Sequence, residues 1–113
     1  MALIRCSGAK AVKNNIYYSM SLQNNARVTT GITLTKEQLE GFTEFKVELH
    51  PQSTETANNN QFYYNSDTIS GGTYGSINGT ITIPTVTNYL FIGASGSTDP
   101  NNSKPFGLKV TLS

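Results

Sequence analysis

Hydrophobic positions in this chain recur mostly at every second residue, the period of a strand that buries one face and leaves the other to water. Val28, Thr30, Ile32 and Leu34 alternate with Thr29, Gly31 and Thr33, and Phe45, Val47 and Leu49 alternate with Glu44, Lys46, Glu48 and His50. Between the two runs lies the segment from Thr35 to Gly41, the clearest helical signal in the sequence. Thr35 is placed as an N-cap, and Gln38 three residues later completes a capping box. Glu37 sits in the first turn, where the helix dipole favours negative charge. Leu39 and Phe42 can pack downward, and Gly41 is placed to end the turn. The pattern predicts two core strands joined over the end of a sandwich by one short helical turn near 36–41.

The same alternation marks the rest of the chain. Leu3 to Cys6 reads as a short first strand, which Ala11-Val12 extends or restarts. Ile16, Tyr18, Met20 and Leu22 then share one face of a strand, with Tyr17, Ser19 and Ser21 on the other. Asn24-Asn25 reads as a hairpin turn, because Asn tolerates positive φ. Pro51 ends the strand over Phe45–Leu49, and the polar, aperiodic stretch from Gln52 to Gln61 predicts a long, mobile loop. Phe62-Tyr63-Tyr64 resumes extended structure, Gly71-Gly72 interrupts it, and Thr73 to Ile77 forms a further strand that turns at Asn78-Gly79. Ile81 and Ile83 alternate with Thr80 and Thr82 up to Pro84. The continuous apolar run Tyr89–Ile92 predicts a strand covered on both faces or strongly twisted. A second long loop runs from Gly93 to Lys104, and the alternation of Phe106, Leu108, Val110 and Leu112 carries the chain to its end. Eight or nine short strands with one helical turn predict an all-β fold, a β-sandwich of jelly-roll or Greek-key type, with a closed barrel as the alternative.

Composition narrows the class. At 113 residues, 1–113 is expected to form a single domain able to bury one core without metal or disulfide staples. Charged residues are only 13% of the chain, replaced by Ser, Thr, Asn and Gly, which suit pleated surfaces and turns. The net charge of +1, with Arg5, Lys10 and Lys13 as the densest basic group, gives no basic patch and so no expectation of a nucleic-acid partner. No run approaches the length of a membrane span, and the start Met1-Ala-Leu-Ile-Arg-Cys6 lacks a signal-peptide pattern. The chain is therefore expected to be made in the cytoplasm without classical export and to have no membrane partner. Asn78 and Asn101 fit the glycosylation pattern but are read as turn chemistry. Cys6 has no second cysteine to pair with and is read as filling a small apolar site.

The chemistry-bearing residues form no recognised motif. Glu44 and Glu48 lie about 13 Å apart along one strand face, beyond the span of a glycosidase carboxylate pair. Glu48 and His50 stand about 6.6 Å apart on that face and are the best acid–base or metal-ligating pair for a hydrolase reading. Asp99 and its Asn neighbours lack the acidic density of a calcium loop. The expectation is no catalytic residue, no metal and no cofactor. Aromatic residues are more informative. Tyr17, Phe62, Tyr63, Tyr64, Tyr74 and Tyr89 are numerous, and alternation must turn some outward; of the adjacent Tyr63 and Tyr64, only one can face the core. Tyr17, Tyr63, Tyr64 and Tyr74 are the candidate binding surface, able to stack on a sugar ring or anchor a protein partner.

The unsignalled Met1–Cys6 start, the Thr-lined strand Thr80-Ile81-Thr82-Ile83 and the Asn-rich loops resemble the small Thr/Asn/Gly-rich all-β proteins of tailed-phage particles and prophage clusters, such as tail, fibre and head-decoration components. The resemblance is one of composition and patterning and carries over no functional residue. It implies a structural or adhesive role, with location in a virion and partnership with further copies or other particle proteins. A carbohydrate-binding module using exposed Tyr is the alternative, with a glycan as partner, and a hydrolase is the third reading.

Overall fold

The computed structural model describes residues 15–22, 30–96 and 104–113. Eight strands run through them: β1 (Ile16–Tyr18), β2 (Ile32–Thr35), β3 (Glu44–Leu49), β4 (Gln61–Ser66), β5 (Thr73–Ser76), β6 (Thr80–Thr82), β7 (Tyr89–Gly93) and β8 (Leu108–Leu112). Two antiparallel four-stranded sheets result, in the orders β1-β8-β3-β6 and β2-β7-β4-β5. The pairings β1·β8, β2·β7, β3·β6 and β4·β5 make the chain one long hairpin whose two arms stay paired along their length. Lateral pairing of β3 with β8 and of β4 with β7 rolls that hairpin into two layers, the wiring of a jelly roll. The β-sandwich expected from the sequence is the observed architecture. Connections β3–β4 and β5–β6 gather at one end, and β2–β3, β4–β5 and β6–β7 at the other.

The core lies between the sheets. Ile32 and Leu34, Phe45 and Val47, Phe62, Leu90 and Ile92, and Leu108, Val110 and Leu112 all point inward and are buried. Each such side chain contributes about 1.5–3 kcal/mol from removal of apolar surface from water. On β7 the outward residue, Phe91, is buried as well, so of the two readings of the continuous apolar run the strand takes the one covered on both faces.

The predicted helical turn is α1 (Lys36–Leu39), with Leu39 buried. Thr35 Oγ1 accepts the Gln38 N–H at 3.2 Å, and Gln38 Oε1 accepts the Thr35 N–H at 2.8 Å, completing the capping box. Gly41 follows at φ +89°, a left-handed conformation open to glycine at no steric cost. Because β2 and β3 belong to different sheets, this turn does cross the end of the sandwich.

β1 departs from expectation in which face it buries. Its register sets Tyr17 opposite Val110 and turns it toward the core, while Ile16 and Tyr18 fall opposite Thr111 and Lys109 on the outer face. Tyr18, Met20 and Leu22 are 55%, 40% and 58% exposed. The inward polar position is occupied for a reason: Ser19 Oγ accepts the Leu108 N–H at 3.0 Å and donates to the Thr30 carbonyl at 2.9 Å, tying the β8 sheet to the chain entering β2. Thr30, fully buried, in turn donates its hydroxyl to the Ala94 carbonyl and accepts the Ala94 N–H.

The stretch 50–60 is tied down rather than loose. Thr54 N–H donates to the Pro105 carbonyl at 3.0 Å, Asn58 N–H to Ser95 at 2.7 Å, and Ala57 is buried and bridged to Gly96. A 3-10 turn at Asn58–Asn60 leads into β4, with Asn59 and Asn60 at φ 56° and 55°. The strand expected at Leu3–Cys6, its continuation at Ala11-Val12, the Asn24-Asn25 turn, the basic group Arg5, Lys10 and Lys13, Cys6, and the Asp99 loop lie outside the described residues.

Candidate functional site

The four tyrosines singled out in the sequence are not brought together on one surface. Tyr17 and Tyr64 pack against the core from opposite sheets. Tyr64 packs edge-on to Phe45, with ring centroids 5.4 Å apart. Tyr63 points to the other side of its strand, as alternation requires, yet it is only 2% exposed. Phe91 and Tyr74 lie against its ring at 5.7 and 6.5 Å, and Gly72 approaches so closely that a Cβ there would stand 3.1 Å from Tyr63 Cδ2. The outer face of this sheet thus carries a small aromatic cluster of its own. Alternation decides which way a side chain points but not whether the outer face is covered. Tyr74, at 55% exposure, is the member of the four that presents its ring to solvent.

Tyr74 borders a polar concavity of the sandwich. Register places Tyr63 opposite Tyr74 and Gln61 opposite Ser76, so that Gln61, Tyr63 and Tyr74 share one face of adjacent strands. The 3-10 turn brings Asn58 and Asn59 to the same place, and the Asn58–Ser95 hydrogen bond holds the β7–β8 connection beside it. These residues, with Phe62, Ala94 and Ser95, line a cleft of about 110 Å³. No lining residue carries a charge. The side-chain amides of Asn58, Asn59 and Gln61 make no hydrogen bond to other described residues, whereas Asn65 spends its side-chain amide on the Ser70 carbonyl at 2.8 Å. Sequence reading assigned Asn58–Asn60 to a plain loop. The one local signal, a run of three residues tolerant of positive φ, marked a turn but not which aromatic it would face.

A second cluster organises the opposite end. Asp67, at φ 64°, accepts three backbone N–H groups, from Thr87 (2.8 Å), Asn88 (2.6 Å) and Tyr89 (3.1 Å). The bonds from Thr87 and Asn88 hold its carboxyl below the usual carboxylate range, outweighing the opposing effect of desolvation. Thr87 and Asn88 lie in the β6–β7 connection and Tyr89 opens β7, so Asp67 fastens β4–β5 to the entry of β7. Leu39, Phe42, Ile83 and Val86, with Lys36, Glu40 and Thr85, line an open concavity of about 330 Å³.

Glu48 and His50 are each held in strand-end roles. Glu48 sits opposite Lys109 in the sheet register, His50 Nδ1 accepts the Gln52 N–H at 3.1 Å, and the His50 ring packs edge-on to Tyr18 at 5.3 Å. Among the described residues, no three His, Cys, Asp or Glu side chains cluster as metal ligands do, and no helix is long and apolar enough to cross a membrane.

Fold and site together define a β-sandwich with eight strands among the described residues, exposed apolar side chains at Tyr18, Met20 and Leu22, and an uncharged aromatic–amide cleft. No protein-family model matches the chain, and no curated protein or solved structure matches it.

Proposed function

We propose that this protein is a non-enzymatic structural or adhesive component that works in an oligomeric assembly with further copies of itself, of the kind built into tailed-phage or prophage particles. The observation that carries the reading is the outward turn of β1. Three large apolar side chains, Tyr18, Met20 and Leu22, are exposed in a row, and contiguous apolar surface of this kind favours a protein contact. The face beside them bears both signs of charge, with Lys109 opposite Tyr18 and Glu48 opposite Lys109, and Lys46 two residues away on β3. A two-fold copy of the same face can pair Lys with Glu across an isologous contact, which one sign alone would not permit. The abundant hydroxyl and amide groups suit a wet interface fixed by hydrogen bonds.

Light scattering over a wide concentration range tests this. The expected result is a discrete oligomer that the double substitution Tyr18→Ser/Met20→Ser converts to monomer without loss of the folded spectrum. A strictly monomeric wild-type protein at every concentration refutes it. Capsid, portal or tail genes beside the coding gene support the particle assignment.

A further inference from the structure

We infer that the cleft at Tyr74 is a subsite for a single neutral sugar ring. This inference names the ligand of an adhesive protein, and in that respect rests on the function proposed above. Three features set the chemistry. The first is an aromatic ring that is half exposed and braced from behind: Tyr74 leans on Tyr63 at 6.5 Å with the ring planes 50° apart, and Tyr63 is buried against Phe91. A braced ring can receive the apolar C–H face of a pyranose with little loss of side-chain entropy. The second is the set of amides from Asn58, Asn59 and Gln61, each offering both donors and an acceptor, which is what vicinal hydroxyls require. Being uncommitted to the described chain, they exchange water for ligand without breaking an internal bond. The third is the absence of charge among the lining residues, which favours a neutral polyol over a phosphate, a carboxylate or a cation.

Size limits the ligand. At about 110 Å³ the cleft is well below the roughly 300 Å³ at which pockets begin to engulf drug-sized molecules. It therefore holds one ring, or the terminal ring of a chain, with the remainder in solvent. A ligand of about a dozen heavy atoms at ordinary ligand efficiency binds with Kd on the order of 1 mM. Useful adhesion would then come from several copies engaging one glycan surface, where avidity multiplies a weak single contact.

The test is a titration of the ¹⁵N-labelled full chain with glucose, galactose, mannose, N-acetylglucosamine and their neutral disaccharides, followed by amide shifts and by saturation transfer to the sugar. Saturable shifts confined to 58–62, 73–76 and 94–95 are the expected result. Tyr74→Ala should weaken binding at least tenfold, Tyr74→Phe should retain it, and Asn59→Ala should weaken it several-fold. Tyr18→Ser, on the other sheet, should leave it unchanged. No saturable shift in these segments with any of the sugars up to about 50 mM, well above the expected Kd, overturns the inference. So does equal binding by Tyr74→Ala with a native-like spectrum. The same samples separate this inference from the one it rests on. Sugar that binds and is recovered intact supports both; sugar that binds and is cleaved upholds the cleft but refutes the non-enzymatic reading; an oligomer that binds no sugar refutes the cleft alone.

Discussion

Gly107 lies where three segments meet, and adding one methyl group there tests the packing logic of the sandwich. A Cβ on Gly107 would run into the Ser19 carbonyl oxygen and stand 2.8 Å from the Ser19 carbonyl carbon and 2.9 Å from Met20 Cα. All three are backbone atoms, so no rotamer change can relieve the contact. Nor can Gly107 retreat, because its carbonyl accepts the His50 N–H at 2.9 Å and its N–H donates to Ser53 Oγ at 3.0 Å. The substitution must therefore push the β1 segment away. At stake are the bonds Ser19 N–H to Leu108 (2.9 Å), Ser21 N–H to Phe106 (2.9 Å), Phe106 N–H to Ser21 (2.8 Å) and Leu108 N–H to Ser19 Oγ (3.0 Å). At about 1 kcal/mol net for each bond, losing most of them costs about 2–4 kcal/mol, a range that partial relaxation of an overpacked site also reaches. Urea unfolding of Gly107→Ala, with the m-value checked for two-state behaviour, measures it. Gly71→Ala is the control: φ is +74° but nothing lies within 4 Å, so backbone strain alone should cost about 1 kcal/mol. A Gly107→Ala cost below about 0.5 kcal/mol, or one smaller than that of Gly71→Ala, refutes the argument that β1 is pinned at this point.

Other perturbations test other links. Thr35→Ala removes the acceptor for the Gln38 N–H and should cost about 1 kcal/mol in the same assay. Gly75 faces Phe62 across β4 and β5, and an added Cβ would stand 2.5 Å from the ring's Cζ, so Gly75→Ala should destabilise by about 1–3 kcal/mol, while the Gly75→Ala/Phe62→Leu pair should recover part of that loss. Asp67 has its folded-state pKa lowered from 3.8 by the N–H groups of Thr87 and Asn88. Its stabilising contribution is thus complete above the unfolded pKa and is lost as pH falls through the folded value. Melting temperature should drop below about pH 4 in the wild type and fall less steeply in Asp67→Asn, as thermal scans between pH 7 and 2 would reveal. Tyr18→Ser with Met20→Ser should lower the mass measured by light scattering while leaving the unfolding midpoint of the monomer nearly unchanged, since both side chains are solvent-facing.

The sequence by itself determined the strands from β2 onward, the capping box, and the turns at Gly41 and Asn78, because each depends on neighbours a few residues away: period-two alternation, a hydroxyl three residues before an amide, a residue tolerant of positive φ. For β7 the continuous apolar run left two readings, covered on both faces or strongly twisted, and the burial of Phe91 in the folded sheet decided for the first. Tertiary structure decided the rest. In β1 and the residues after it, the apolar set Ile16, Tyr18, Met20 and Leu22 would have been the natural core face, yet pairing with β8 and the Ser19 link to Leu108 and Thr30 selected the opposite register. Tyr63 points outward as alternation demands but is buried by Phe91, Tyr74 and the approach of Gly72, a covering no strand pattern encodes. The Tyr74 cleft joins residues 58–63, 74 and 94–95, and Asp67 reaches 20–22 positions along the chain. Both exist because the rolled hairpin brings distant connections to a common end. Local alternation is a property of single strands, whereas which face is wet and which residues share a cleft depend on how the sheets wrap.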